Sequence, residues 1–439
     1  MSVPFDQPGE CDMISIPKIG QVALVIWAAF HILTIELILN TRAYLVVPVE
    51  LTLRLDRVFS TGTAGLADMM VLFLVGSVFY LGYLLLLRRF EEPGSSKISL
   101  AVLVFASVLL NVLLIIRVRI GGDVVRNITF AAAFLRGYNP YSITGYELNQ
   151  LIQTGKVSAP LVAGYLDHRF DYPPITLLYY SVVLFLASDF LRAYVLTEIG
   201  LTTMRFAGSF LIYRICRLQG ISYLLPVGLF LMNPLMIYSS YDGKEEALLV
   251  VLSLLSIYLF SLRKTSMSGI ALALSTLTKY VTVLYWPILA LYERKIRQSL
   301  LLSLGYVATI LAISGPFLVG SPFVFSFVFW QMSRPCNSLL NIFCYDAANP
   351  FSIARFVAGL AYLSIFAVLA ISVRSERGFS RMTGMLTAAT IIAVIFARSF
   401  FIWYLDWFSI SIYFAQKKAT FSYILPLILP LVAVPSLFG

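Results

Sequence analysis

Long apolar runs recur along the chain, each close to the length that crosses a bilayer, and short polar segments separate them. The runs lie near residues 20–39, 64–87, 98–116, 194–213, 221–238, 244–262, 299–319, 351–373 and 420–437. Backbone groups inside hydrocarbon must satisfy one another, and a helix does this within one segment. The pattern therefore predicts an all-α polytopic membrane protein with about eleven to thirteen transmembrane helices.

The composition agrees with a membrane protein. Of the 439 residues, 59% are hydrophobic and 12% are charged, whereas a soluble domain carries about 25% charged residues. The net charge of +10 would favour nucleic-acid binding in a soluble protein. Here many of the basic residues lie between apolar runs, where they orient helices and meet anionic headgroups. Membrane lipids are therefore expected partners, and nucleic acid is not.

Basic clusters between the apolar runs, such as Arg294-Lys295, predict cytoplasmic loops and a cytoplasmic N-terminus. These basic clusters can all lie on the cytoplasmic side only if three further apolar segments each return to the side of the membrane from which they entered. Segment 266–292 is then a hairpin with Lys279 at its tip, and segment 382–415 is a pair of short spans. Segment 173–190 is a re-entrant helix, which opens at a Pro-Pro pair because proline suits the first turn of a helix.

The same pattern suggests how the chain is divided. Residues 1–97 are predicted to form an N-terminal pair of transmembrane helices, an extension of a membrane domain over residues 98–439. The long polar loop 117–172 falls on the external side of that domain. Apolar residues between Asp123 and Gly137 recur at helical spacing, which predicts a short amphipathic helix in the membrane interface. The loop is thus expected to be partly helical.

This external loop is basic, against the usual trend for external loops. Its arginines are Arg117, Arg119, Arg126, Arg136 and Arg169. Phosphate binding is the task we expect of them, and the alternative for each is an arginine that reaches toward lipid headgroups. Asp123 is the acid of this loop at the membrane surface, and the alternative for it is an ordinary helix N-cap.

Several short motifs follow one another in a recognisable order. They are Gly122-Asp123, AAFLRGYNPY at 132–141, DYPP at 171–174, MNP at 232–234, Ser239-Ser240, GKEE at 243–246, Lys279 before Trp286-Pro287, and FFIWYL at 400–405. Over residues 98–410 this order resembles the C-type (GT-C) glycosyltransferases, which transfer a sugar from a polyprenyl-phosphate carrier. It looks most like the branch of the first mannosyltransferase of glycosylphosphatidylinositol synthesis and its prokaryotic relatives.

One position departs from that branch. The mannosyltransferase carries two aspartates one residue apart in its first external loop, and Gly121 stands here in the place of the first. The resemblance therefore implies one catalytic acid, Asp123, and no two-acid metal site. It leaves a divalent cation open without indicating one, and no other cofactor is expected.

The resemblance implies a mannosyltransferase, or another hexosyltransferase, that uses a polyprenyl-phosphate or dolichyl-phosphate sugar. The acceptor would be a lipid-linked glycan or a glycolipid. Catalysis would take place on the external or lumenal face of a prokaryotic plasma membrane or of the endoplasmic reticulum. Asp123 would act as general base in an inverting displacement.

Further residues are assigned as ligands of the two substrates. Those expected at the donor phosphate are Lys279, Arg398, Arg126 and Arg119, and those expected at the substrates are Tyr141, Asp171, Tyr172, Glu246, Trp403 and Tyr404. Lys279 is a charged residue inside an apolar stretch, and a charge within a membrane segment usually indicates a functional site. Its alternatives are pairing with Glu245 or Glu246, or an outward-reaching side chain.

The other assignments have alternatives too. Arg398 and the aromatic residues fit an interfacial belt as well as a site, and any single acid of the turn 242–246 fits a solvated turn. Cys336 and Cys344 share one external loop and could form a disulfide in an oxidising compartment.

A transporter or flippase for a lipid-linked or anionic substrate is the alternative function, because broken helices with charged tips also build transport sites. Two features of the sequence count against it. No inverted halves are recognisable, and the unusual charges are predicted at one surface and not at mid-depth.

Overall fold

The structure is a computed structural model that describes residues 96–115, 122–162, 166–187, 189–231, 233–241, 243–321 and 378–396. It also describes the positions 364, 367, 406, 407, 409–411 and 414. The regular structure of these residues is helical, without strands, which confirms the all-α class. The chain divides into two compact units, Met1–Leu110 and Asn111–Gly439, and apart from the first helix the description below concerns the second unit.

The helices of the described residues follow in chain order. They are α1 (Ser96–Ile115), α2 (Gly122–Leu135), α3 (Gly145–Gln153), α4 (Pro174–Leu186), α5 (Phe190–Gln219), α6 (Leu224–Leu231), α7 (Pro234–Tyr241), α8 (Glu246–Ser261), α9 (Thr265–Thr276), α10 (Tyr285–Tyr292), α11 (Ile296–Gly320) and α12 (Phe379–Phe396). A short 3₁₀ helix, Tyr280–Leu284, connects α9 to α10.

The loop 117–172 is partly helical, as predicted, because it contains α2 and α3. Thr144 begins α3 with a capping box, in which its hydroxyl accepts from the Glu147 amide while the Glu147 carboxylate accepts from the Thr144 amide. Burial of α2 differs from the prediction. Every residue from Arg126 to Ala133 is buried, so α2 is not a surface helix with one wet face. Its polar side is covered because α4 and residues 169–171 pack against it.

Helix α4 begins where the Pro-Pro pair predicts. Pro173 is extended and Pro174 is the first helical residue, a position where the missing amide costs no hydrogen bond. The 13 residues of α4 rise about 20 Å at 1.5 Å per residue, less than the ~30 Å hydrocarbon core. The length fits the short segment predicted here, and re-entry into a membrane stays a prediction.

The hairpin predicted over 266–292 is present. Arg263 before α9 and Glu293 after α10 form an ion pair of 3.4 Å, so both ends of the segment lie close together. Lys279 lies between the two arms, just before the 3₁₀ helix. Near this tip the hydroxyls of Thr276 and Thr282 lie 3.1 Å apart.

The apolar run 221–238 does not form one continuous helix, and whether it crosses the membrane stays a prediction. Two eight-residue helices, α6 and α7, occupy this stretch and meet at Asn233 and Pro234. Proline lacks the amide that would continue α6, and it disfavours helical backbone at the residue before it. The apolar run is continuous in sequence, but the backbone is not continuous as a helix.

Two segments of the described residues are long and apolar enough to cross a membrane: Phe190–Gln219, with 30 residues, and Ile296–Val319, with 24. On α11 the side chains of Leu300, Leu304 and Leu311 are more than half exposed, as a lipid-facing surface would be. These features support a membrane protein. The predicted number of spans, their orientation and the compartment stay predictions, and the predicted spans 20–39, 64–87 and 420–437 lie outside the described residues.

Helices α9 and α11 approach each other closely at small residues. A Cβ on Gly269 would lie 2.1 Å from the Leu302 carbonyl oxygen, and one on Gly305 would lie 2.5 Å from the Ser266 carbonyl oxygen. Such backbone contact is typical of helices that pack in lipid, where small residues replace the hydrophobic driving force. The pairing holds the hairpin against the long helix α11.

Candidate active site

Three segments meet at the start of α4. The Ile175 amide donates to the Leu277 carbonyl (2.9 Å) and the Thr176 hydroxyl donates to the Thr278 carbonyl (3.0 Å). These bonds tie the beginning of α4 to the hairpin tip. One turn later the buried Tyr180 hydroxyl donates to the Gly243 carbonyl (2.7 Å). Helix α4 therefore connects the hairpin tip to the turn that precedes α8.

That turn is pressed against the start of α2. Gly243 has φ +72°, in the left-handed region that glycine adopts without strain. A Cβ on Gly243 would lie 2.6 Å from Cγ2 of Val124. Only glycine lets the backbone of the turn come this close to α2. The residue after Gly243 and the residue before Val124 are thereby brought together.

The neighbours are Asp123 and Lys244. The Lys244 ammonium nitrogen lies 3.7 Å from Oδ2 of Asp123. The Asp123 side chain is 46% exposed and that of Lys244 is 9% exposed, so an accessible acid stands beside a largely buried cation. Asp123 lies inside the first turn of α2 and not at the N-cap position. A carboxylate there is favoured by the amide dipoles of the helix start.

Lys279 is held by two carboxylates. Its ammonium nitrogen lies 3.0 Å from Oε1 of Glu245 and forms a hydrogen bond and ion pair with Glu246. It also lies 5.6 Å from the ring centroid of Tyr172. The structure therefore shows the alternative left open for Lys279, pairing with these two acids. Glu246 is fully buried in this pair, and the phosphate role of Lys279 and the substrate role of Glu246 stay predictions.

Arg126 and Asp171 also pair with each other. Their ion pair measures 2.8 Å, and Nη2 of Arg126 donates to the Arg169 carbonyl (2.8 Å). Both side chains are buried. The pair fastens α2 to the chain that leads into α4, and the roles of Arg126 at the phosphate and of Asp171 at a substrate stay predictions.

Tyr141 belongs to the core and does not line an open site. Its side chain is fully buried against Phe170 and Phe317, and its hydroxyl donates to the Tyr172 carbonyl (2.9 Å). Burial raises the pKa of Tyr141 well above its usual value. The phenol therefore stays protonated and acts as a fixed donor.

Tyr172 is partly exposed and lies between the two groups of charges. Burial raises the pKa of its phenol, and the carboxylates of Glu245 and Asp123 raise it further. The Tyr172 ring lies beside the Lys279 ammonium that Glu245 holds. Tyr172 therefore remains a candidate for contact with a substrate.

The other predicted site residues lie outside the described residues. They are Arg119, Arg398, Trp403 and Tyr404, together with Cys336 and Cys344 of the predicted disulfide. Within the described part of the chain, no three His, Cys, Asp or Glu residues are grouped as a metal site requires.

Sequence reasoning missed Lys244 as a candidate ligand. The GKEE motif contains it, but attention fell on the acids of this turn, which fit a solvated turn. The useful signal was Gly243, because a glycine directly before a lysine allows the close approach that brings the lysine to Asp123. Two further buried groups, Arg205 and Asp406, were also missed.

Comparisons of the chain with protein-family models, with curated proteins and with solved structures find no match. The assignment of function therefore depends on the geometry and on the motif order.

We expect Gly243→Ala to disrupt the contact between the turn and α2. The substitution adds left-handed strain of about 1–2 kcal/mol and a clash with Val124 of about 1–3 kcal/mol. Gly220→Ala is the matched control, because Gly220 has φ +64° with open space around its Cβ. Denaturant unfolding of the purified protein should show a larger loss of unfolding free energy for Gly243→Ala than for Gly220→Ala. Adding Val124→Ala to Gly243→Ala should restore part of that loss. Equal losses of unfolding free energy for the two glycine variants would contradict the contact between Gly243 and Val124.

Proposed function

We propose that this protein is an integral membrane glycosyltransferase. It would transfer a hexose, mannose by the resemblance, from a polyprenyl-phosphate donor to a lipid-linked or glycolipid acceptor on the external face. One observation carries the proposal: an accessible carboxylate, Asp123, lies 3.7 Å from the ammonium of Lys244 in a polar patch of an otherwise apolar protein. The transfer needs two groups: a base for the acceptor hydroxyl and a cation for the donor phosphate.

The chemistry assigns each group a step. Asp123 takes the proton of the acceptor hydroxyl as its oxygen forms a bond to the anomeric carbon. The bond from that carbon to the lipid phosphate breaks, and the electron pair leaves with the phosphate. Lys244 stabilises the charge on the departing phosphate. Direct displacement inverts the anomeric configuration and leaves no covalent intermediate.

Lys244 suits the phosphate better than Lys279 does. The Lys244 ammonium lies 3.7 Å from the accessible Asp123 carboxylate, whereas the Lys279 ammonium contacts the two buried carboxylates of Glu245 and Glu246. A donor phosphate can therefore take the place of Asp123 at Lys244 and release Asp123 to accept a proton. Lys279 acts at a distance in this proposal, because it fixes the turn that carries Lys244.

Transport is the second candidate, and one observation favours it. Arg205 lies near the middle of the 30-residue helix α5 and is fully buried, so at least one unusual charge is placed at mid-depth of a candidate span. A buried charge near the middle of a long apolar helix is a feature that transport proteins also use. A transporter would work without a general base, which separates the two candidates.

Asp123→Asn should reduce transfer by about two to four orders of magnitude, the usual contribution of a general base. The assay combines purified protein in nanodiscs with polyprenyl-phosphate mannose and an inositol glycolipid or lipid-linked oligosaccharide acceptor. Mass spectrometry then measures the glycosylated lipid. Asp167→Asn is the control, since Asp167 is an exposed acid of the same loop.

Normal turnover by folded Asp123→Asn protein would reject the assignment. Translocation of a lipid-linked sugar across sealed proteoliposomes that persists in Asp123→Asn, with no transfer by the wild type, would favour the transporter.

Lys244→Met should raise the KM for the donor about tenfold or more, since a hydrogen bond to a charged group is worth about 1.5–3 kcal/mol. Lys244→Arg should keep most of the affinity. Lys279→Met should instead lower the yield and melting temperature of folded protein, because it leaves two carboxylates buried without their cation. A rise in KM from Lys279→Met without loss of stability would reverse the two roles.

A further inference from the structure

The beginning of α11 carries a basic patch that is far from the candidate active site. The ion pair of Arg263 with Glu293 places this end of α11 at the base of the hairpin. The other end of α11 reaches the loop 117–172, because the Ser321 hydroxyl donates to the Tyr141 carbonyl (2.9 Å). The 25 residues of α11 rise about 37 Å. The basic patch and the loop that contains the candidate base are therefore at opposite ends of this helix.

The basic patch consists of five exposed basic residues and one acid, so its net charge is +4. Its members are Arg263, Lys264, Arg294, Lys295 and Arg297, together with Glu293. Glu293 is buried and pairs with Arg263. The other four basic side chains form no ion pair with any of the residues that the structure describes. The patch can therefore attract an anion.

A shallow groove of about 440 Å³ begins beside these cations. Its walls are two rows of α11 side chains at a spacing of four residues: Ile296, Leu300 and Leu304 in one row, Arg297 and Leu301 in the other. Rows at this spacing are the ridges of a helix surface. The side chains of the first row are 63–78% exposed, so the groove is open in the described part of the chain. Arg297 gives the apolar groove one charged end.

The length of the groove fits one leaflet of a bilayer. Between residues 296 and 304, α11 rises about 12 Å, and half of the ~30 Å hydrocarbon core is about 15 Å. A charged group followed by an apolar body of this length is the arrangement of a phospholipid. An acidic peptide would complement the cations but would gain nothing from the leucine rows. A zwitterionic lipid would bring an ammonium group of its own to the basic patch.

We propose that this face of α11 binds one anionic phospholipid. Its phosphate lies at Arg294, Lys295 and Arg297, and one acyl chain lies between the two leucine rows. A basic loop at a membrane surface attracts anionic headgroups in general. The groove adds contact with a single lipid, so that both headgroup and chain determine binding. The proposal does not rest on the proposed function, since a transferase and a transporter could both carry such a lipid.

The test measures the binding of single lipids to the full-length protein by native mass spectrometry from a nonionic detergent. The titrants are phosphatidylglycerol, phosphatidylcholine with the same acyl chains, and inorganic phosphate. Arg294→Gln/Arg297→Gln removes two charges of the basic patch. The matched control is Arg214→Gln/Arg217→Gln, which removes two exposed arginines near the end of α5.

A second pair of variants tests the groove. Leu300→Ala/Leu304→Ala lowers one of its walls. Leu311→Ala/Leu318→Ala makes the same change further along α11, outside the groove. All of these side chains are exposed, so the variants should fold, and melting temperatures verify it.

We expect phosphatidylglycerol to bind the wild type about tenfold or more tightly than phosphatidylcholine, because each basic residue near an anionic headgroup adds about one kcal/mol. Arg294→Gln/Arg297→Gln should lose this preference, and Leu300→Ala/Leu304→Ala should weaken phosphatidylglycerol several-fold. Both control variants should bind as the wild type does, and inorganic phosphate should not bind detectably.

Three results would overturn the proposal. Equal binding of the two lipids by the wild type would mean that the headgroup is not recognised. Equal losses in the patch variant and its arginine control would reduce the effect to general surface charge. Unchanged binding in Leu300→Ala/Leu304→Ala, or binding of inorganic phosphate alone, would leave the groove without a role.

Discussion

The arrangement of the site depends on one buried ammonium group, that of Lys279 between Glu245 and Glu246. A lone buried charge costs several kcal/mol, and two carboxylates close to each other cost more unless a cation separates them. The hairpin tip and the turn before α8 are therefore held together, since separating them would leave charges of both signs unpaired. The tip is bonded to α4 and the turn is pressed on α2, so this interaction also sets the distance between Lys244 and Asp123.

The polar side chains near the site range from accessible to fully buried. Asp123 is accessible, Tyr172 is partly exposed, and Lys279, Asp406 and Arg205 are buried. Large apolar side chains face outward on α11. A substrate with an apolar tail, a charged phosphate and a neutral sugar has the same three chemical parts. A transporter of the same lipid would meet the same three parts, so the accessible acid Asp123 is the physical reason for favouring transfer over transport.

Features determined by local rules were predictable from the sequence. The Pro-Pro start of α4 and the hairpin around Lys279 follow from proline chemistry and from the placement of basic residues. Pro234 also indicated the break between α6 and α7, but the apolar run around it is continuous and favoured the prediction of one helix. The helix α2 was recognisable as a helix, but the sequence could not show that α4 would cover its polar side.

Long-range pairings could not be predicted. Arg126 and Asp171 are 45 residues apart, and each alone has the chemistry of a substrate ligand. Lys279 could pair with either nearby acid, and the structure shows that it pairs with both. Lys244 became a candidate only when the contact of Gly243 with Val124 was seen. In each case the residue type was informative, but the partner depended on tertiary packing.

A double-mutant cycle on Lys279 and Glu246 tests the central claim most directly. The free energy of unfolding is measured for the wild type, Lys279→Met, Glu246→Gln and the double variant. The buried pair predicts that each single change destabilises the protein by about 3–5 kcal/mol, and that the double variant loses at least ~2 kcal/mol less than the sum of the two. Additive losses within ~0.5 kcal/mol would contradict the pair as the interaction on which the site depends.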